Sequence, residues 1–255
     1  MPLEADFLEA FEVHSPERIG DAIAGGASPT ALIKGKTPID SLIEGYLRSP
    51  RFAPCLRVLL DAGATIGDPL LEALLFDDDA ALALILQAGS PSREERLLRV
   101  PCAFTLCDAV TPLHVCAEFN AVRCARVLLD AGADVNAAAA FEADGFGGQT
   151  PIFHAVNSIF NYCRPMLELL VDAGADLDVR LKGLMWGSGA DWQTLILDVT
   201  PTSYAQCGLY AQFHRREVDV YGNLRYLYQK RHGTELPMYN VPNRYLMPSG
   251  DRSDL

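Results

Sequence analysis

The chain has 255 residues, 49% of them apolar, with 33 acidic side chains against 21 basic ones and a net charge of −12. No run of about 18 apolar residues occurs, which argues against a membrane span, and an acidic chain suits nucleic acid poorly, because phosphate binding is dominated by cations. The N-terminal MPLEADFLEAFE is acidic where a secretion signal would be basic, and seven cysteines without a disulfide-scaffold spacing point to a reducing cytoplasm.

The charge is uneven. Residues 1–200 hold 14 Lys and Arg against 28 Asp and Glu, whereas residues 201–255 hold 7 against 5. An acidic body attracts a basic protein and also keeps a chain soluble.

In chain order, Ala5–Val13 reads as a first helix with Phe7, Leu8 and Phe11 on one side. Ser15-Pro16 caps a second, Glu17–Gly26, where the proline sits in the first turn and loses no hydrogen bond. Gly35-Lys36-Thr37-Pro38 opens the next unit, whose second helix is Pro54–Ala62; residues 45–54 lengthen the turn between its helices. Asp68-Pro69 starts a shorter unit with helices at Leu70–Phe76 and Ala80–Gln87. A short helical piece is expected at Ser92–Arg99, and Phe104–Val110 reads as a strand.

The clearest stretch is Thr111–Ala139, TPLHVCAEFNAVRCARVLLDAGADVNAAA. Thr111-Pro112 begins a helix, Ala121–Ala131 forms another, and Gly132 stops it in the left-handed position that glycine favours. A helix, a tight turn, a helix, a glycine stop and an extended exit cannot bury their apolar face alone, so neighbours are implied. The loop Ala137–Gly148 follows, and the pattern returns from Thr150-Pro151 to Asp178. Leu177, Val179 and Leu181, then Leu195, Leu197 and Val199, alternate as two strands of a hairpin around a tip that carries both tryptophans. Thr200-Pro201 opens a last pair with a long second helix, Arg215–Arg231, and residues 234–255 carry three prolines and no period.

Thr111-Pro112-Leu113-His114 and Gly132-Ala133-Asp134-Val135-Asn136 resemble the signatures of an ankyrin repeat. The resemblance implies an all-α ankyrin-repeat solenoid of about six helix-turn-helix units with long β-hairpin fingers. The expected units are about 5–34, 35–66, 67–92, 111–147, 148–182 and 198–233, in one domain over 1–233, followed by an extended tail at 234–255. Glycine stops at Gly26, Gly63, Gly89, Gly132 and Gly174 are spaced by 37, 26, 43 and 42 residues, against a family period of about 33. The excess lies in the connections, which become fingers on one edge of the concave face.

The resemblance implies a non-enzymatic scaffold that binds another protein. Long loops in compact repeats are functional or disordered, and Trp, Phe and Met mark interface centres. Phe104, Phe141, Phe146, Met185, Trp186 and Trp192 are therefore the expected contacts, framed by the concave helix face. The competing expectation is that the fingers bury these rings against each other. A sharper form is an immunity protein that neutralises a toxic, basic enzyme.

His114 in the T-P-L-H context reads as a bond between neighbouring units rather than a catalytic base. Cys102, Cys107, His114 and Cys116 have the wrong spacing for zinc, and no metal or cofactor is expected. A rival reading places an enzymatic or ligand site at Tyr204, His214, Arg215, Arg216 and Glu217 in the last unit. The expected protein is a cytoplasmic monomer when alone.

Overall fold

The computed structural model describes residues 2–89, 97–102, 105–187 and 193–237. Within them run α1 (Pro2–Glu12), α2 (Pro16–Ala24), α3 (Pro38–Ile43), α4 (Phe52–Asp61), α5 (Pro69–Leu75) and α6 (Asp79–Gln87). The first hairpin, β1 (Leu97–Cys102) and β2 (Thr105–Val110), leads into α7 (Pro112–Phe119) and α8 (Val122–Asp130). Then come α9 (Pro151–Ala155) and α10 (Arg164–Asp172), the hairpin β3 (Leu181–Trp186) and β4 (Thr194–Val199), and finally α11 (Pro201–Cys207) and α12 (Glu217–His232).

Local chemistry sets these boundaries. Proline opens α3, α5, α7, α9 and α11, where its missing N–H would have had no helical partner. Capping oxygens precede several of them. Asp68 accepts from the N–H groups of Leu70 and Leu71 at 2.9 and 3.1 Å, and Thr37 accepts from Asp40 N–H at 3.1 Å. Gly132 and Gly174 take φ of 85° and 91°, and the next N–H, of Ala133 and Ala175, folds back to the carbonyls of Leu128 and Leu170 at 2.9 Å. That bond closes the helix end, and it needs the left-handed residue.

Consecutive helices pair, and the pairs stack. α1 and α2 pack on α3 and α4; α5 lies on α7, α6 on α8, α7 on α9 and α9 on α11. The seam between them is a continuous row of buried leucines: Leu42, Leu56, Leu59, Leu74, Leu82, Leu113, Leu128, Leu167, Leu170 and Leu227. Each element gains its stability from its neighbours, as quasi-one-dimensional arrays do.

Two expectations about the connections are corrected. Residues 97–99, expected in a helix, belong to β1, because Leu97 and Arg99 are paired with Val110 and Asp108 of β2. The rest of that expected helix lies outside the described residues. The second hairpin also starts later than the alternation suggests. β3 begins at Leu181 and runs through Trp186, so Gly183–Trp186 form the strand rather than its tip. Leu177 and Val179 alternate with charge because the exit from α10 turns them onto the core and Asp178 and Arg180 outward, not because they pair in the hairpin.

The first helices of the fourth and fifth pairs are not open to solvent. Every residue of α7 from Pro112 to Phe119, and of α9 from Pro151 to Ala155, is buried. The chain itself supplies the cover. β3 brings Trp186 onto Phe213, ring centroids 4.2 Å apart, and Phe213 continues through Tyr204 at 6.3 Å to Phe153 at 6.0 Å. From the other end, the long turn between α3 and α4 reaches past the short third pair. Phe52 lies 4.9 Å from Phe119, and Tyr46 OH donates to the Phe213 carbonyl at 2.8 Å. The concave helix face expected to frame the finger contacts is thus covered at these two helices by the chain itself.

Candidate functional site

The fingers form a layer joined by backbone hydrogen bonds. Ala140 N–H donates to the Asp108 carbonyl of β2 at 2.8 Å, and Gly148 N–H to the Ala140 carbonyl at 3.0 Å. Gly147 N–H then donates to the Gly183 carbonyl of β3 at 3.0 Å. The loop after α8 is thus a narrow hairpin, with Phe141 bridged to Gly147, wedged between the two longer hairpins. Gly147 and Gly148 have positive φ, and a Cβ on Gly148 would stand 2.2 Å from the Phe141 ring. The glycine run at this point is a seat for a ring, not an anion cradle.

The two faces of β3–β4 differ. Gly183, Met185, Leu195 and Leu197 share one face, because Gly183 pairs with Leu197 and Met185 with Leu195. Leu184, Trp186 and Ile196 take the other face, toward the helices. On the outer face Leu195 is 41% and Leu197 61% exposed, with Phe141 at 62%. Phe146 covers Gly183, where an added Cβ would meet its ring at 2.9 Å, and Lys182 Nζ sits 4.9 Å above that ring. Between Cys107, Phe141, Gly147, Gln149 and Met185 lies a slot of about 120 Å³. Asp108 and Glu142 line its rim.

Of the expected contacts, Phe141 is exposed, and Phe146 and Met185 are half-buried beside it. Trp186 is 0% exposed, which corrects its assignment as an anchor: its indole fills the gap between hairpin and last helix pair and cannot reach a partner. Phe104 and Trp192 lie outside the described residues. Leu195 and Leu197 were missed. Their alternation was legible, but it signals a half-buried strand without saying which face points inward, and only the packing of Trp186 fixes that.

His114 does what the T-P-L-H pattern predicts. Thr111 N–H donates to Nδ1 at 3.1 Å, which leaves Nε2–H to donate to the Gln149 carbonyl of the next unit at 3.0 Å. Both ring nitrogens are committed to backbone, so neither serves as base or metal ligand.

His154, one place later in its own motif, joins a buried ion cluster. Its Nδ1 lies 3.0 Å from Glu118 Oε2, and Glu118 Oε1 accepts from Arg48 Nε at 2.9 Å. The Arg48 guanidinium also donates to the carbonyls of Leu47 and Ile43 at 2.9 and 3.3 Å and lies 4.3 Å over Phe119. Burial pulls the His154 imidazole down, but the Cys107 thiol and the Glu118 carboxylate outweigh it and hold it up at about 9. His14, buried near Arg48, is pushed down to about 4 by burial first and the guanidinium second. The cluster ties the second, fourth and fifth helix pairs together.

Of the rival site in the last unit, the two arginines are held in structural bonds. Arg215 donates to the Asn157 carbonyl at 2.7 Å, to Tyr46 OH and to the Phe213 carbonyl; Arg216 holds Asp219 through both oxygens at 2.6 and 2.9 Å. The cleft among Tyr46, Arg48, Glu118, His154 and Arg215 encloses about 10 Å³, about the room of one water. Burial also pushes up the thiols of Cys55, Cys124, Cys163 and Cys207, so these are packing residues rather than nucleophiles.

The chain is similar over 69% of its length to 71% of the human ASB11 ankyrin repeat domain in its crystal structure, at 24% identity and a TM-score of 0.31. No curated protein matches. A family model of ankyrin repeats, three copies, matches residues 52–180, just over half of the chain. Helix pairs stacked first on first and second on second, each stopped by a left-handed glycine, are the geometry of that match, and the chain belongs to the ankyrin-repeat family.

Proposed function

We propose that this protein is a non-enzymatic binding module whose partner seats on the outer face of the finger layer. Phe141, Leu195 and Leu197 provide the contact, with Phe146 and Met185 beneath. Ankyrin repeats are in general modules of protein–protein interaction. The observation that carries the reading is a contrast in burial: α7 and α9 are covered throughout, while three large apolar side chains stand exposed on adjoining fingers. An exposed apolar patch with a polar rim is the usual mark of an interaction surface.

The partner is a basic protein. The net charge of −12 favours it over long range, and Asp108, Glu142 and Asp144 flank the patch. Neutralisation of a basic, toxic enzyme is the form of this reading that the charge best suits. The outer helix pairs, α1–α2 and α11–α12, extend the matched repeats to six units over 1–233, and the protein acts as a cytoplasmic monomer until its partner binds.

A photo-crosslinking phenylalanine analogue at position 141 tests the proposal. In native lysate it should capture one basic protein, while the same group on an exposed helix position such as Arg126 should not. Equal capture at both positions, or capture only at the helix, refutes it.

A further inference from the structure

The finger layer ends in an unprotected edge. Its backbone bonds run from β2 through the middle hairpin to β3 and on to β4, and among the described residues no strand pairs with the other side of β4. Six residues of strand at about 3.3 Å each give an edge about 20 Å long, with roughly three N–H and three C=O groups directed outward.

Edges of this kind are usually blunted by lysine, proline, a bulge or a covering segment, because they invite pairing with another chain. β4 reads Thr194-Leu195-Ile196-Leu197-Asp198-Val199. Its one device is Asp198, whose φ of 57° breaks the register opposite Lys182. That device stands at the inner end, so Thr194–Leu197 are left without one. Leu195 and Leu197 point to the same exposed side, two residues apart, in the spacing that a neighbouring strand's alternate side chains would meet.

We propose that β4 is completed by an extended, basic strand of the partner, which adds to Thr194–Leu197 through main-chain hydrogen bonds. The inference rests on the finger-face reading above and names the chemistry of its occupant. Strand addition of this type takes affinity from the backbone and specificity from alternate side chains. The occupant's apolar residues pack beside Leu195 and Leu197, and its cations meet the acidic surroundings. Asp108, Glu142 and Asp144 border the layer. The two cations on β3 and its approach are already held: Arg180 bonds Asp198 at 2.6 Å, and Lys182 bonds the Asp144 carbonyl and covers Phe146. A second copy of this chain is the wrong occupant, because each copy brings a net charge of −12.

The test is amide exchange of the full chain by NMR, with and without a blocked seven-residue peptide of alternating valine and lysine at millimolar concentration. Comparators are the valine–glutamate peptide and the valine–lysine peptide with a central proline. Strand addition predicts that every second amide of 194–197 slows by about tenfold with the lysine peptide alone, and that the effect fades with salt. No slowing, uniform slowing, or equal slowing with the glutamate peptide overturns the proposal. Protection that grows with protein concentration and needs no peptide assigns the edge to a second copy and overturns it as well. A Leu195→Ser/Leu197→Ser variant separates the two readings. If it loses the captured partner while no alternating protection is ever seen, the finger face stands and strand addition falls. If it keeps the partner, both fall.

Discussion

Replacement of Trp186 by alanine should destabilise the whole protein rather than merely weaken a contact. The indole is 0% exposed and stacked on Phe213 at 4.2 Å and 14°, in a row of rings that seals the finger layer to α9 and α11. Truncating a fully buried aromatic costs about 3–5 kcal/mol, the sum of lost transfer energy and the cavity left behind. In a chain of this size each kcal/mol moves Tm by about 2–4 °C, so a loss on the order of 10 °C is expected. The assay is thermal and urea denaturation of Trp186→Ala beside Leu197→Ala. Leu197 is exposed, so its truncation should shift stability by about 0.5 kcal/mol or less. A Trp186→Ala protein within 1 kcal/mol of the parent would refute the packing of the second hairpin onto the helices, and with it the assignment of inner and outer faces.

Other consequences are equally direct. Glu118→Ala leaves Arg48 and His154 buried without their carboxylate and should cost about 3–5 kcal/mol by urea titration, whereas Arg48→Met/Glu118→Met together should cost much less. The pH dependence follows from the same cluster. His154 binds its proton more tightly folded, at about 9 against 6.5 unfolded, so its stabilisation is complete below pH 6.5 and is lost as pH rises toward 9. The loss amounts to about 3 kcal/mol, and urea midpoints at pH 6, 7.5 and 9 should fall in the parent and flatten in His154→Phe. His14 works in the opposite direction. Its folded value near 4 means that stability is lost as pH falls from 6.5 toward 4, and His14→Phe should remove that dependence. Ala109 has φ of 50°, two residues before Thr111, in the place that Gly35 and Gly148 fill before their own Thr-Pro pairs. A left-handed alanine costs about 1–2 kcal/mol, so Ala109→Gly should raise the urea midpoint slightly, where an Ala→Gly change elsewhere would lower it.

The repeat itself was legible because its signals are local. Thr-Pro starts, capping aspartates and glycine stops each act within four or five residues, and the structure places helix ends at them. His114 was legible for the same reason, since its partner sits at a fixed place in the next unit. What could not be read was long-range. Trp186 was placed in the tip and Leu197 in an alternating strand, yet the first is core and the second surface, and only Phe213, from a segment 27 residues beyond Trp186, decides between them. The turn between α3 and α4 was seen to be long, but nothing local says that Tyr46 will meet Arg215, 169 residues on. The ion cluster was likewise invisible: Arg48, Glu118 and His154 come from three units and have no common motif. A repeat pattern predicts the stack, whereas the closure of its groove depends on the insertions that interrupt the pattern.

The most direct measurement is capture from native lysate by three forms of the protein at matched fold: the parent, Leu195→Ser/Leu197→Ser with Phe141→Ser, and a control with Arg57→Ser and Arg126→Ser on the outer helices. The finger-face account predicts that one stoichiometric protein is retained by the parent and the helix control and is lost from the finger variant, whose circular dichroism and Tm match the parent's. Retention by the finger variant, or loss from the helix control instead, contradicts it.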